Sequence, residues 1–332
     1  MKLNVTLQQI ADELNTSKVT VSRALSNKPG VSSELRKKIL DKAEFYGYVL
    51  PSQPNFQAKA FAFLVPQRFF LEFDRFYTVI FLHLNQLLQT CNIILTSITF
   101  TPDEEKSGKL PLQFDKSKFD GIFVVGEVDD SLLETILNLN MPTVLIDFSK
   151  NDLEVSQIIA DNYSLGYEVT NYLLQNGHKR IGFVGDYKNN QNICDRYMGF
   201  QKAIIMHGLS PSPQMDIVNN DFITGLYTLN FEMPQHMPTA FVCNCDLAAY
   251  YLYEKLKSMG LRIPEDVSVI SFDNTEICKN MTPPLTSMEI DKTDFANLAF
   301  KEMQKRITNP LSGPKKLFVH SKLIIRNSVK KI

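Results

Sequence analysis

Seven short runs of almost uninterrupted apolar residues constrain this chain most: 60–65, 93–95, 121–125, 143–146, 181–184, 239–242 and 267–270. A strand with one face in water alternates apolar and polar residues. A run apolar throughout needs cover on both faces, which a parallel sheet between two helical layers supplies. Helical periodicity fills the intervals, at 82–88, 132–139, 195–207 and 247–259. Pro66 ends the first run. The runs form two series, one in each half of the chain. The expected class is therefore α/β, with two lobes of doubly wound parallel sheet. Ligands of such sheets sit beyond the carboxyl ends of the strands, here in the cleft between lobes.

The first 48 residues follow another rule. Leu7, Ile10, Ala11 and Leu14 share one helical face behind Thr6, a suitable N-cap. Asn15 can take the left-handed conformation that ends a helix. Ser17 starts a second helix with Val21, Ala24 and Leu25 on its apolar face, and small Ala11 suits a close crossing. That is a helix-turn-helix pattern. A third helix follows Ser32, with Leu35, Ile39, Ala43 and Tyr46 on one face and Gly47 at its end. The second helix leaves Lys18, Val19, Thr20, Ser22 and Arg23 outward, where a helix in the major groove presents base- and phosphate-contacting groups.

Charge supports that division. Residues 1–59 hold nine Lys or Arg against five Asp or Glu, a charge of +4, while the whole chain stands at −1. A basic head on an acidic body points to a polyanion for the head alone. No apolar run approaches the roughly 20 residues that span a bilayer, and Met1–Thr6 lacks the apolar core of a signal peptide, so the cytoplasm is the expected compartment. The five Cys stand at 91, 194, 243, 245 and 278 without a C-x-x-C pair. Cys243 and Cys245 read as small apolar residues of a buried strand. There is no nucleophile elbow, no His-Glu-x-x-His and no phosphate-binding loop, so neither enzyme chemistry, metal nor cofactor is expected. His178, in a Gly-His-Lys-Arg turn, suits a structural role.

The string from Thr6 to Asn27 (TLQQIADELNTSKVTVSRALSN), with Pro29-Gly30-Val31-Ser32 and Tyr46-Gly47-Tyr48, resembles the head of LacI/GalR-type bacterial repressors. Asn15 and Thr16 stand where that family often has Gly and Val. Further along, Asp161-Asn162, residues 177–183 (GHKRIGF), Arg196-x-x-Gly199-Phe200, residues 264–268 (PEDVS) and residues 283–286 (PPLT) resemble the same family's periplasmic-binding-protein-like effector domain. The resemblance implies base reading by Lys18, Val19 and Arg23, and phosphate contacts by Thr6, Ser17, Thr20, Ser22 and Asn27. It implies an effector cleft in which Arg196 and Asp273 are polar contacts. Asp147, at a strand end, is a third candidate, and Phe69, Phe70 and Tyr77, in an aromatic cluster with Phe76, are candidates for a stacking platform. Sugars suit such a cleft, since carboxylates and guanidinium groups bind hydroxyls strongly and aromatic faces take the ring. Cys245-Asp246 replaces the family's Asn-Asp, which removes one amide from the cleft.

One segment departs from the family. Residues 49–59 hold Pro51 and Pro54 and no A-R-x-L hinge helix, so an extended spacer and operator binding without a strong leucine-driven kink are expected. The resulting division is 1–48 head, 49–59 linker, and 60–332 effector-binding and dimerisation domain. A single head reads a half-site, so a homodimer on near-palindromic operator DNA is expected; residues 326–332 leave no room for a C-terminal heptad helix. The expected role is a repressor of a carbohydrate-utilisation operon answering to a sugar or oligosaccharide. The alternatives are a nucleoside or phosphoprotein corepressor, or a cytoplasmic sugar-binding protein or enzyme.

Overall fold

The structure, a computed structural model, describes residues 6–25, 30–46, 58–70 and 75–332. The first elements are helices α1 (Leu7–Glu13), α2 (Lys18–Leu25) and α3 (Ser33–Phe45). Thr6 caps α1 in a reciprocal capping box with Gln9, and Asn15 turns the chain at φ 47°. The Ser17 hydroxyl accepts from the Thr20 amide at 3.0 Å and so caps α2. Ile10, Ala11, Val21, Ala24, Leu25, Ile39 and Ala43 form one small core. Lys42 and Tyr46 both reach Glu13, tying the third helix to the first. The Arg36 guanidinium donates to the Ala24 carbonyl at 2.9 Å, satisfying an orphan acceptor at the end of α2. The expected linker, apart from Ala58 and Lys59, lies outside the described residues, as does Asn27.

From residue 60 the chain builds the expected lobes. The first contains β1 (Ala60–Pro66), α4 (Phe76–Gln89), β2 (Ile94–Phe100), α5 (Pro102–Ser107), β3 (Gly121–Val125), α6 (Asp130–Leu137), β4 (Thr143–Ile146) and β5 (Ser156–Ile159). The second contains α7 (Asn162–Gln175), β6 (Ile181–Val184), α8 (Gln191–Met206), β7 (Ala240–Cys243), α9 (Asp246–Ser258), β8 (Ser268–Asp273), α10 (Ile277–Asn280) and β9 (Thr286–Ile290). The chain then returns to the first lobe as α11 (Lys292–Thr308) and β10 (Lys316–Phe318), and ends in the second as β11 (Ser321–Ile324). The sheet orders are β10-β5-β4-β3-β1-β2 and β11-β9-β8-β7-β6. All pairings are parallel except β11 on β9, a departure from the all-parallel expectation confined to one edge.

The apolar runs sit where two-sided cover demands: β3, β4, β6, β7 and β8 are buried along their whole length. In a chain without Trp, phenylalanines fill the cores, among them Phe61, Phe63, Phe123, Phe183, Phe241 and Phe272. The three crossings between lobes are bonded to one another. Val319 donates to the Ile159 carbonyl at 2.9 Å, Asp291 to that of His320 at 3.0 Å, and the His320 amide to the Asp294 carboxylate at 2.9 Å.

His178 is structural: it is fully buried, its ring nitrogens lie 3.0 Å from the Thr239 hydroxyl and 3.1 Å from the Lys330 carbonyl, and burial lowers its pKa. Cys243 lies in buried β7 as expected. Cys245 does not: it lies past the strand end, where its Sγ caps α9 by accepting from the Ala248 amide at 3.4 Å. No helix among the described residues is long and apolar enough to cross a membrane.

Candidate functional site

Two surfaces carry groups that packing does not require. The first is the outer face of α2. Lys18 and Arg23 are exposed, Ser22 is half-buried, and Val19 is 63% exposed although apolar. Positions 18, 19, 22 and 23 follow helical spacing, so they form one stripe. Thr6 and Ser17 are exposed at the N-termini of α1 and α2, where free backbone amides favour anions. Each also serves as a cap, and the Thr20 hydroxyl lies 2.8 Å from that of Ser17.

The second surface is a cavity of about 740 Å³, counting its open mouth, at the carboxyl ends of strands from both lobes. Asp147 follows β4 and Asp273 ends β8, strands that hold equivalent places in the two sheet orders. Both residues are buried with positive φ, at 62° and 95°. Such backbone is uncommon in non-glycine residues and is concentrated at functional positions. The two carboxylates are thus presented by the same local device, one from each lobe.

Arg196 projects from α8 into this region. Its Nε donates to Asn162 Oδ1 at 2.8 Å, its Nη1 to the Asn244 carbonyl, and its Nη2 stands 3.5 Å from Asp273 Oδ1. Its Cζ lies 4.6 Å from the centre of the Phe272 ring. The guanidinium is thereby fixed in orientation, and its link to Asp273 is the loosest of the three. Tyr77 donates to Asp147 Oδ2 at 2.7 Å, and its ring lies 5.0 Å from that of Phe69. Asn192, one helical turn before Arg196, donates to the Asp147 carbonyl at 2.6 Å and so joins the lobes. Asn244 Oδ1 is buried at the cavity wall with no protein partner, an acceptor whose desolvation a ligand donor would offset.

Of the six residues expected in the cleft, Phe69, Tyr77, Asp147, Arg196 and Asp273 line the cavity. Phe70 does not. The chain turns through a single 3-10 helix over Gln67–Phe69, and Phe70, just past it, is left 37% exposed away from the lining. Phe76 lies in the wall instead. The sequence reading missed Arg68, Asn190, Asn192, Asn220, Phe222, Tyr227 and Asn244. Asn192 was within reach, being at i−4 from Arg196 on the same helical face. The others stand in loops, at strand or helix ends, or, for Arg68, in the short 3-10 turn, where no periodicity marks a direction. Cys245, read as standing in place of a cleft amide, lines the cavity and puts its Sγ 3.1 Å from the Tyr227 hydroxyl. No His, Cys, Asp and Glu group among the described residues could hold a metal.

Comparison with known proteins places both surfaces in one context. Residues 6–50 match the bacterial regulatory proteins of the lacI family, and residues 170–329 match the periplasmic binding protein-like domain. The HTH-type transcriptional repressor PurR of Glaesserella parasuis serovar 5 (strain SH0165) is 32% identical over 228 residues, covering 65% of this chain and 66% of its own length. The HTH-type transcriptional regulator RegA of Clostridium saccharobutylicum is 27% identical over 337 residues, covering 97% of this chain and 98% of its own. Among solved structures, the transcriptional regulator CelR in complex with cellobiose has a TM-score of 0.69 at 22% identity, over 98% of this chain and 99% of that one.

Proposed function

Because this chain belongs to the lacI family of bacterial regulatory proteins and is a DNA-binding transcriptional repressor rather than an enzyme, we propose that it represses a carbohydrate-utilisation operon under the control of a sugar or oligosaccharide bound between its lobes. In this reading residues 1–48 bind operator DNA, 49–59 link, and 60–332 bind effector and dimerise. Lys18, Val19 and Arg23 read bases. Thr6, Ser17, Thr20, Ser22 and Asn27 meet phosphates, those at the helix starts through amides as well as hydroxyls. The repressor acts in the cytoplasm as a homodimer on a near-palindromic site.

The observation that carries the effector reading is the make-up of the cavity. Carboxylates from both lobes, the fixed guanidinium of Arg196 and the buried acceptor of Asn244 lie beside aromatic walls from Phe69, Tyr77 and Phe222. Hydroxyl-rich rings satisfy such a mixture at their edges and faces together. The fold-level likeness to the cellobiose complex supports the same class.

The test is a calorimetric screen of the full chain against mono- and oligosaccharides and nucleosides, repeated with Asp273→Ala. The expected result is one saccharide that binds and changes operator affinity. The variant should keep operator binding and lose the response. Binding of a nucleoside in place of every saccharide would replace the sugar reading.

A further inference from the structure

An arm of the second lobe crosses the cleft. A bridge between Asn220 and Tyr227 forms its base, backed by the Thr228 amide donating to the Asn219 carbonyl at 2.9 Å. Its tip is a closed turn. The Asp221 carboxylate accepts from the Thr224 amide at 2.8 Å and hydroxyl at 3.0 Å, and the Gly225 amide donates to the Asp221 carbonyl at 2.8 Å. Gly225 has φ +73°, and a Cβ there would stand 2.5 Å from the Arg68 carbonyl. The tip therefore meets the first lobe backbone to backbone, and only glycine permits the approach.

Arg68 is the landing point. Its Cζ lies 4.9 Å from the ring centre of Phe222 on the arm and 4.8 Å from that of Phe69 in its own lobe. Among the described residues, every in-plane bond it makes goes to the first lobe. Nη1 and Nη2 grip both oxygens of buried Glu105, the second at 3.0 Å, and Nη2 also donates to the Glu127 carbonyl at 2.7 Å. Glu105 is itself held, accepting from the Asp129 amide at 2.8 Å. A guanidinium fixed this way offers its flat face and cannot follow the arm; the arm's ring has to come to it. Arg68 and Phe222 also line both the effector cavity and a neighbouring one walled by Lys106, Glu127 and Lys150. Their contact is the partition between the two chambers.

We propose that Arg68, oriented by Glu105, is a positioning residue that docks Phe222 across the cleft and closes the effector chamber against its neighbour. This rests on reading the cleft as the effector site. A buried ion pair alone is a weak stabiliser; here it sets the place of an aromatic wall supplied by the other lobe.

The chain contains no Trp, so Phe222→Trp in the full chain places one tryptophan at the contact, excited selectively at the red edge of the absorption, beyond tyrosine. Tryptophan is also the best ring for a cation. The expected emission lies at short wavelength with weak acrylamide quenching. Adding Arg68→Met with Glu105→Gln, which removes both charges and leaves no unpaired buried ion, should move the emission to longer wavelength. Acrylamide quenching should rise severalfold while the far-ultraviolet circular dichroism stays native. Arg68→Lys keeps the charge but lacks the plane and the two-point grip, and should show the same red shift. Unchanged emission and quenching in the folded variants overturns the proposal. If the double change prevents folding, the lysine variant decides alone. No effector enters this measurement, so a failure of the sugar reading would appear in the calorimetric screen and not here.

Discussion

Arg23 and Thr20 sit three residues apart on α2 and are assigned opposite kinds of work. Arg23 is exposed on the outward stripe, with a guanidinium able to meet two acceptors of one guanine. Thr20 is half-buried beside the Ser17 cap. Arg23→Ala should relax preference at one base position, with a loss of roughly 1–3 kcal/mol for the preferred base. Thr20→Ala should weaken all operator variants alike. Binding across a set of single-base operator variants checks both, and equal uniform losses would mean that another face reads the bases. A second residue-scale test concerns Asp216, which accepts from the Tyr197 hydroxyl at 2.7 Å and the Phe183 amide at 3.1 Å at the root of the cleft-crossing arm. Burial pushes its carboxyl up to about 6 from an ordinary value near 3.8. The native state then holds a proton that the unfolded chain has released, so this group's contribution to stability falls as pH rises from about 4 to about 6 and is level outside that window. Denaturant unfolding of the parent and of Asp216→Asn should show the parent losing ground to the variant across those two pH units. A constant difference, or drift of the opposite sign, contradicts the assignment.

At the scale of elements, the pairing of α7 with α8 positions the cleft. A Cβ on Gly199 would stand 2.0 Å from the Tyr163 carbonyl oxygen, and one on Gly166 would stand 2.1 Å from that of Arg196. The helices therefore touch backbone to backbone, and α8 carries Arg196 and Asn192 at a depth that only glycine allows. Gly199→Ala should cost about 1–3 kcal/mol by overpacking and shift Arg196. Thermal unfolding should detect the first effect and a weakened effector response the second; an unchanged response would separate helix spacing from ligand binding. This pair also marks the limit of what could be read in advance. The Arg196-x-x-Gly199 motif was visible, and so were the buried strands, because two-sided burial makes them continuously apolar. β2 was read only at its apolar start: Ile94, Thr96, Ser97 and Thr99 face outward on an edge strand, so the apolar run breaks after Leu95. β5, β9, β10 and β11 were missed: each is short and carries polar residues that break the apolar run, and β10 and β11 also pair with strands distant in sequence. α11 has Phe295, Ala296, Ala299, Phe300 and Met303 on one face, yet its return to the first lobe is a tertiary fact. In the cleft, residues at strand ends and on α8 were legible, whereas Phe222 and Arg68 depend on an arm and a turn whose course local pattern does not encode.

For the whole molecule, residues 1–59 carry a charge of +4 in a chain whose net charge is −1, and the expected linker over 49–59 contains two prolines. The central functional assignment is that the outer face of α2 binds a specific operator. The most direct measurement is electrophoretic mobility shift of the full-length protein on DNA upstream of its neighbouring operon, over a salt series, beside a variant carrying Lys18→Ala and Arg23→Ala. The account predicts a discrete complex that weakens with salt, survives non-specific competitor and is lost in the variant. The absence of a specific complex at any salt, or an equal complex with the variant, would contradict it.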